Sequence, residues 1–111
     1  MKILIVGAGR IGCSVAESLV SEANDITVVD QDSERIEFLQ SRFDLRGVVG
    51  NATSPQVLTD AGAADTDMLI AVTSSDETNL VVTMLCARIF NIPTRIARVR
   101  NNELRDYPRI L

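Results

Sequence analysis

The hexapeptide Gly7-Ala8-Gly9-Arg10-Ile11-Gly12 lies directly behind the apolar run at residues 2–6 and directly ahead of a helix-forming stretch. That placement constrains the fold more than any other feature of the chain. The first glycine permits a tight turn after a strand. The second lets another group approach the backbone closely, and the third lets helix and strand pack without a side chain between them. Glycine-rich hexapeptides also arise by chance, so the flanks matter. Here Ile11, Val15 and Leu19 recur every four residues over 9–21, the pattern of a helix with one apolar face.

The rest of the chain repeats this strand-then-helix rhythm. Apolar runs at 26–30, 46–49, 68–72 and 94–99 predict four further strands. Between them, Asp32 caps a helix with Ile36, Leu39 and Phe43 inside, and Ser54 with Pro55 opens a short helix ending near Ala61-Gly62. Ser74 and Glu77 have the spacing of a capping box for a long helix over 76–91. A last helical turn is expected from Asn101 or Asn102, limited by Pro108. Alternation of this kind predicts an α/β fold: a three-layered, doubly wound parallel sheet of the Rossmann type. Five strands are found and a sixth is missing. The chain therefore reads as one domain, 1–111, cut from a longer protein.

Composition agrees. Aromatic residues make up 4% of the chain and apolar ones 46%, so the core is expected from Val, Ile, Leu and Ala, which suit buried parallel strands. The net charge of −4 argues against a surface that tracks nucleic-acid phosphates. Lys2 is the only lysine, and arginines gather toward the end at Arg88, Arg95, Arg98, Arg100, Arg105 and Arg109. With no histidine and no CxxC pair, no metal site is expected; Cys13 and Cys86 read as reduced core residues, a redox pair being the alternative. The first apolar run is too short for a signal peptide or a membrane span, and a cytoplasmic location follows.

A glycine loop between strand and helix is a place for phosphate, because helix-start N–H groups and the helix dipole both favour an anion. Asp30 ends the second strand about twenty residues on, where an acid accepts the two hydroxyls of an adenosine ribose. The same carboxylate repels a 2′-phosphate, and Gln31 beside it is not an arginine, so NADP is disfavoured. The plain alternatives are a structural turn for the loop and helix capping for Asp30. Two more loops reach the same sheet edge. Asn51, Ala52 and Thr53 border an adenine pocket or form an ordinary turn, and Thr73 and Ser74 line the inner half of the site or cap a helix.

Taken in order, MKILIVGAGRIG, VVDQD, VVGNAT, DMLIAVTSSDETN and IARVRN resemble the nucleotide-binding lobe of bacterial potassium-transport regulators, the RCK/KTN domains. Within that family the likeness is strongest to the regulatory subunit of the Trk potassium-uptake system. It covers essentially the whole chain. The resemblance implies a site for NAD(H) or ATP/ADP that controls a membrane-embedded potassium transporter. It also implies homodimers or tetrameric rings, peripheral at the inner face of the membrane. By position, Gly7, Gly9, Arg10 and Gly12 would hold phosphates, Asp30 the ribose, and Asn51 and Ala52 would border the adenine, with Ala8, Ile11, Gln31 and Thr53 in the same cofactor site. Thr73 and Ser74 would line the inner side and Arg98 the phosphate end, with Arg100 a less secure member.

The alternative is the cofactor-binding domain of an NAD-dependent oxidoreductase. Hydride-transfer enzymes usually carry a His, a Lys or a Tyr–Lys pair to move a proton. Here Lys2 starts a strand and Tyr107 has no lysine near it in sequence, so a non-enzymatic ligand-sensing module is favoured. NADH and ATP are not separated by the residues. Arg10 and Arg98 suit a terminal triphosphate if they face the ligand, and Arg10 equally suits a solvent-facing position. Finally, Val81, Val82, Met84, Leu85, Ile89 and Phe90 give the long helix more apolar surface than one sheet face needs, and its outward stripe is expected to meet a second copy.

Overall fold

A computed structural model describes residues 1–105; the expectations that touch Tyr107, Pro108 and Arg109 lie outside the described residues. Strands β1 (Lys2–Val6), β2 (Asp25–Asp30), β3 (Arg46–Val49), β4 (Met68–Ala71) and β5 (Thr94–Ala97) form one sheet in the order β3-β2-β1-β4-β5. Every pairing is parallel. Helices α1 (Arg10–Val20), α2 (Ser33–Arg42), α3 (Pro55–Asp60) and α4 (Asp76–Arg88) connect them, a 3₁₀ turn at Ala63–Asp65 follows α3, and α5 (Asn102–Arg105) comes after β5. This is the doubly wound Rossmann-type sheet that the sequence predicts.

The sheet is buried on both faces, and β1 shows why its sequence is uninterrupted apolar. Ile3 and Ile5 point to one face, where they pack with Ala16 of α1 and Ile36 and Leu39 of α2. Leu4 and Val6 point to the other, against Leu58 of α3 and Val82 and Cys86 of α4. A strand at the centre of a three-layered sheet has no polar side to show. The sheet order reverses between β1 and β4, and the carboxyl ends of the strands open a crevice at that point.

Several boundaries differ from the expectations, each for a local reason. The cap of α4 is Ser75, whose Oγ accepts the Thr78 N–H at 3.2 Å; Ser74 is exposed, and its carbonyl oxygen accepts from Arg100 Nη2 at 2.6 Å. Glu77 thus falls one residue short of the capping-box position, and Ser75 Oγ donates to its carboxylate instead. The helix stops at Arg88 because Asn91 adopts a left-handed φ of 55°, which turns Ile92 inward so that its N–H reaches the Cys86 carbonyl at 3.0 Å. Phe43 follows α2 as its extended C-cap and is only partly buried against the α1–α2 side of the core. Val82 is fully buried inside the chain, so the outward apolar stripe of α4 is narrower than its sequence suggests: Val81, Met84 and, just past the last turn, Ile89.

Candidate functional site

The crevice at the sheet's carboxyl edge is an open cleft of about 410 Å³. That volume is in the range of small-molecule sites. Its floor is Val6, the last residue of β1, with Val29 one residue short of the end of β2 and Val72 just past β4, and its rim comes from the segments that follow the five strands. Gly9 and Ile11 enter from the first loop, Asp30 and Gln31 from the second, Asn51 and Ala52 from the third, and Thr73, Ser74 and Arg98 from the far side. Nine of the residues singled out from sequence therefore line one cavity.

The three glycines of the loop have different duties. Gly7 has φ +115°, and a Cβ there would stand 3.0 Å from the Thr73 nitrogen and the Val72 carbonyl group. It lets the end of β1 pass close to the end of β4. At Gly12 a Cβ would run into the carbonyl oxygen of Gly7, so this glycine joins helix to loop. Gly9 is unlike both. Among the described residues beyond its chain neighbours, a Cβ on Gly9 would meet Arg35 Nη1 at 3.7 Å and no backbone atom, and Gly9 has an ordinary φ of −76°. The fold does not need this glycine. Its bare backbone faces the cleft, leaving a cradle that any side chain would partly fill.

Gly9 is also the N-cap of α1, and it offers no side chain to the first turn. By contrast, α2, α3 and α4 are capped by Asp32, Ser54 and Ser75. The helix that opens onto the cleft thus keeps its amino end for an external acceptor. Ala8 stands behind the loop, buried, with its N–H donated to Asp30. Its carbonyl oxygen lies 3.4 Å from Cys13 Sγ.

Asp30 is held firmly. Its Oδ2 accepts the Ala8 N–H at 2.8 Å and its Oδ1 accepts the Asp32 N–H at 2.8 Å. A carboxylate offers about four acceptor positions, so roughly two stay available for hydroxyl donors. The capping of α2 falls to Asp32 instead, through Glu34 N–H at 3.0 Å and Arg35 N–H at 3.4 Å. The capping alternative for Asp30 is thereby removed.

Six of the named residues are not in the cleft lining: Gly7, Ala8 and Gly12, which shape the loop from behind, and Arg10, Thr53 and Arg100. Arg10 is an exposed residue at the start of α1, outside the cleft lining, so the solvent-facing alternative describes it. Thr53 donates from both its N–H and its hydroxyl to Asn51 Oδ1, at 3.0 and 2.8 Å, which makes a self-contained turn. Asn51 therefore turns only its amide nitrogen to other partners. Arg100 ties the chain after β5 to the loop after β4, through the Ser74 carbonyl and, by its backbone N–H, Asp76 Oδ1 at 3.0 Å.

Two residues escaped the sequence reading. Arg35 lines the cleft from the first turn of α2. Asn79 is completely buried on α4, where its Nδ2 donates to the carbonyls of Thr73 and Arg98 at 3.1 and 2.9 Å. An asparagine among Val, Leu and Thr on an otherwise apolar helix was the available signal. Among the described residues no group of three or more metal-ligating side chains gathers, and no helix is long and apolar enough to cross a membrane.

Known proteins resemble this chain in sequence and fold. Over 103 residues the chain is 56% identical to the Trk system potassium uptake protein TrkA of Haemophilus influenzae, covering 93% of this chain and 22% of that protein. The chain thus spans about a fifth of the relative's length. Among solved structures, the GsuK RCK domain superposes with a TM-score of 0.80 at 30% identity, over 95% of this chain and 22% of that one. The Kef C-terminal domain of Shewanella denitrificans in its AMP-bound form gives 0.71 at 22% identity, over 86% and 57%. The family model of the TrkA-N domain matches residues 3–110, and the chain belongs to the TrkA-N domain family.

Proposed function

We propose that this chain binds an adenine nucleotide, NAD(H) or ATP/ADP, in the cleft between β1, β2 and β4. In this reading the chain serves as the ligand-sensing lobe of a regulator of potassium uptake. Gly9 carries the reading. It is a glycine that the fold does not require, at the open end of an uncapped helix, on the wall of a cleft. Phosphate oxygens are the natural acceptors for such a helix end. Asp30 supplies the complementary half, with acceptor positions for ribose hydroxyls and a charge that disfavours the 2′-phosphate of NADP.

The regulatory part of the proposal rests on the kinship with Trk system potassium uptake proteins. The bound nucleotide would bias the lobe's conformation, and a membrane-embedded potassium transporter subunit would read it. The protein would then lie at the cytoplasmic face of the membrane, as a homodimer or tetramer. The AMP-bound Kef domain, of the same fold, supports an adenosine ligand. Among the described residues, the cleft lining holds no His, Lys, Tyr or Cys to move a proton, which favours binding over hydride transfer.

Calorimetric titration of the chain with NAD⁺, NADH, NADPH, ADP and ATP tests the proposal. Saturable one-to-one binding of at least one adenine nucleotide, with NADPH weaker than NADH, is the expected result. Absence of binding by all five at millimolar concentration overturns it.

A further inference from the structure

We infer that Arg35, on α2, is the guanidinium that meets the ligand's phosphates at the glycine loop, in the role that sequence position suggests for Arg10. The inference rests on the nucleotide reading and specifies which charge serves it. The sequence places Arg10 inside the loop, but its side chain begins α1 on the exposed side and takes no part in the cleft wall. Arg35 comes from the neighbouring helix and does line the cleft. Among the described residues beyond the loop's own chain neighbours, its Nη1 is what a Cβ on Gly9 would meet, at 3.7 Å. The one spot on the loop where backbone is left bare is thus overlooked by one arginine.

The local chemistry aims that side chain. Asp32 uses Oδ1 to cap the backbone of α2, and its Oδ2 lies 3.5 Å from Arg35 Nε. The inner nitrogen is engaged by Asp32, and the terminal nitrogens extend toward the loop. Both partners are about half exposed, 57% and 48%, so this pair adds little stability and releases easily to a stronger acceptor. A diphosphate is such an acceptor, because a guanidinium meets phosphate oxygens through two parallel N–H bonds. There is also a need for it. Asp30 is an anion on the same wall of the cleft, and a phosphate placed near a carboxylate requires a cation to offset the repulsion.

The test compares adenosine, AMP, ADP and NADH as ligands of the wild-type chain and of Arg35→Ala, Arg35→Lys and Arg10→Ala. Arg35→Ala should lower affinity for ADP and NADH about tenfold or more while leaving adenosine within about twofold. Arg35→Lys should keep part of the affinity, since it retains charge but loses the fork. Arg10→Ala should cost less than Arg35→Ala and lose its effect at high salt. Equal losses for adenosine and ADP would mean contact with the nucleoside instead and overturn the inference. An unchanged ADP affinity in Arg35→Ala, or a larger loss in Arg10→Ala, overturns it as well. If wild type binds ADP normally, the fault lies with Arg35 alone; if wild type binds no ligand, the nucleotide reading has failed first.

Discussion

Asn79 and Thr73 are joined by three hydrogen bonds: Asn79 Oδ1 accepts the Thr73 N–H at 2.9 Å and the Thr73 hydroxyl at 2.7 Å, and Asn79 Nδ2 returns one to the Thr73 carbonyl at 3.1 Å. The same Nδ2 reaches the Arg98 carbonyl at 2.9 Å, so one amide fixes the loop after β4 and the end of β5 together. Both loops line the cleft. Asn79→Ala would leave the part-buried backbone groups of Thr73 and Arg98 without their partner and should destabilise the chain by about 1–3 kcal/mol. Urea unfolding measures this directly. Nucleotide affinity should fall too, since Thr73 and Arg98 lose their common anchor. A variant as stable as wild type would show that water replaces the amide at no cost.

Gly9 and Gly12 should respond to alanine in opposite ways. At Gly12 the new methyl group meets the Gly7 carbonyl, and the helix must move away from the sheet, a cost of about 3 kcal/mol or more. At Gly9 the methyl group meets Arg35 Nη1 at ordinary contact distance, 3.7 Å, and stability should fall only by the difference between glycine and alanine at an N-cap, about 0.5–1 kcal/mol. Affinity should behave differently. Gly9→Ala should weaken nucleotide binding while lowering the melting temperature far less than Gly12→Ala does, and Gly9→Val should weaken binding further. Normal binding by Gly9→Val would separate the loop from the ligand altogether.

Asp30→Ala should cost both affinity and stability, because the carboxylate accepts the N–H of buried Ala8 as well as facing the cleft. The stability loss is expected at about 1–2 kcal/mol, and the loss of ribose contacts at roughly ten- to hundredfold in affinity. The two effects are separable with 2′,3′-dideoxy-ADP. Wild type should bind it more weakly than ADP, and Asp30→Ala should bind both alike. Retained discrimination in the variant would assign the ribose to another residue.

Cys86 makes stability depend on alkaline pH. Burial pushes its thiol up to about 11 from 9.0, partly opposed by the charge of Arg95. The folded state thus holds its proton where the unfolded state has lost it. Its contribution is fully present below pH 9.0 and fades as the pH rises toward about 11, by on the order of 2 kcal/mol. Urea midpoints between pH 8 and 11 should fall more steeply in wild type than in Cys86→Ala. Parallel slopes would remove Cys86 as the source. In the native chain a thiol reagent should label partly exposed Cys13 well before Cys86.

The strands and helices were legible because each obeys a local rule. Apolar runs mark strands buried on both faces, and Asp32 and Ser54 cap their helices as their positions suggest. Asp30 and the glycine loop were legible for the same reason, since short-range spacing fixes both. What spacing does not carry is the direction of a long side chain. Arg10 sits inside the loop and is absent from the cleft lining, whereas Arg35 is 25 positions later and belongs to it. The Ser74–Ser75 choice was equally hidden, because a carbonyl contact from Arg100, distant in sequence, occupies one of the two serines. Asn79 was unread because its partners lie on two other elements.

The outward face of α4 offers the last test. Val81 and Met84 are 42% and 37% exposed, and Ile89 just beyond the helix is 51% exposed, an apolar stripe on the side away from the sheet. If copies of this chain pair through that stripe, Met84→Glu should raise the dissociation constant at least about tenfold without changing the melting temperature, because a rim-to-core charge is costly only when buried. Val82→Glu is the contrasting control. Val82 is fully buried against the sheet, so a carboxylate there should unfold the chain rather than merely dissociate it. Sedimentation equilibrium from one to one hundred micromolar would read both. A wild-type chain that stays monomeric throughout, or a Met84→Glu variant that associates as wild type does, would take α4 out of the assembly.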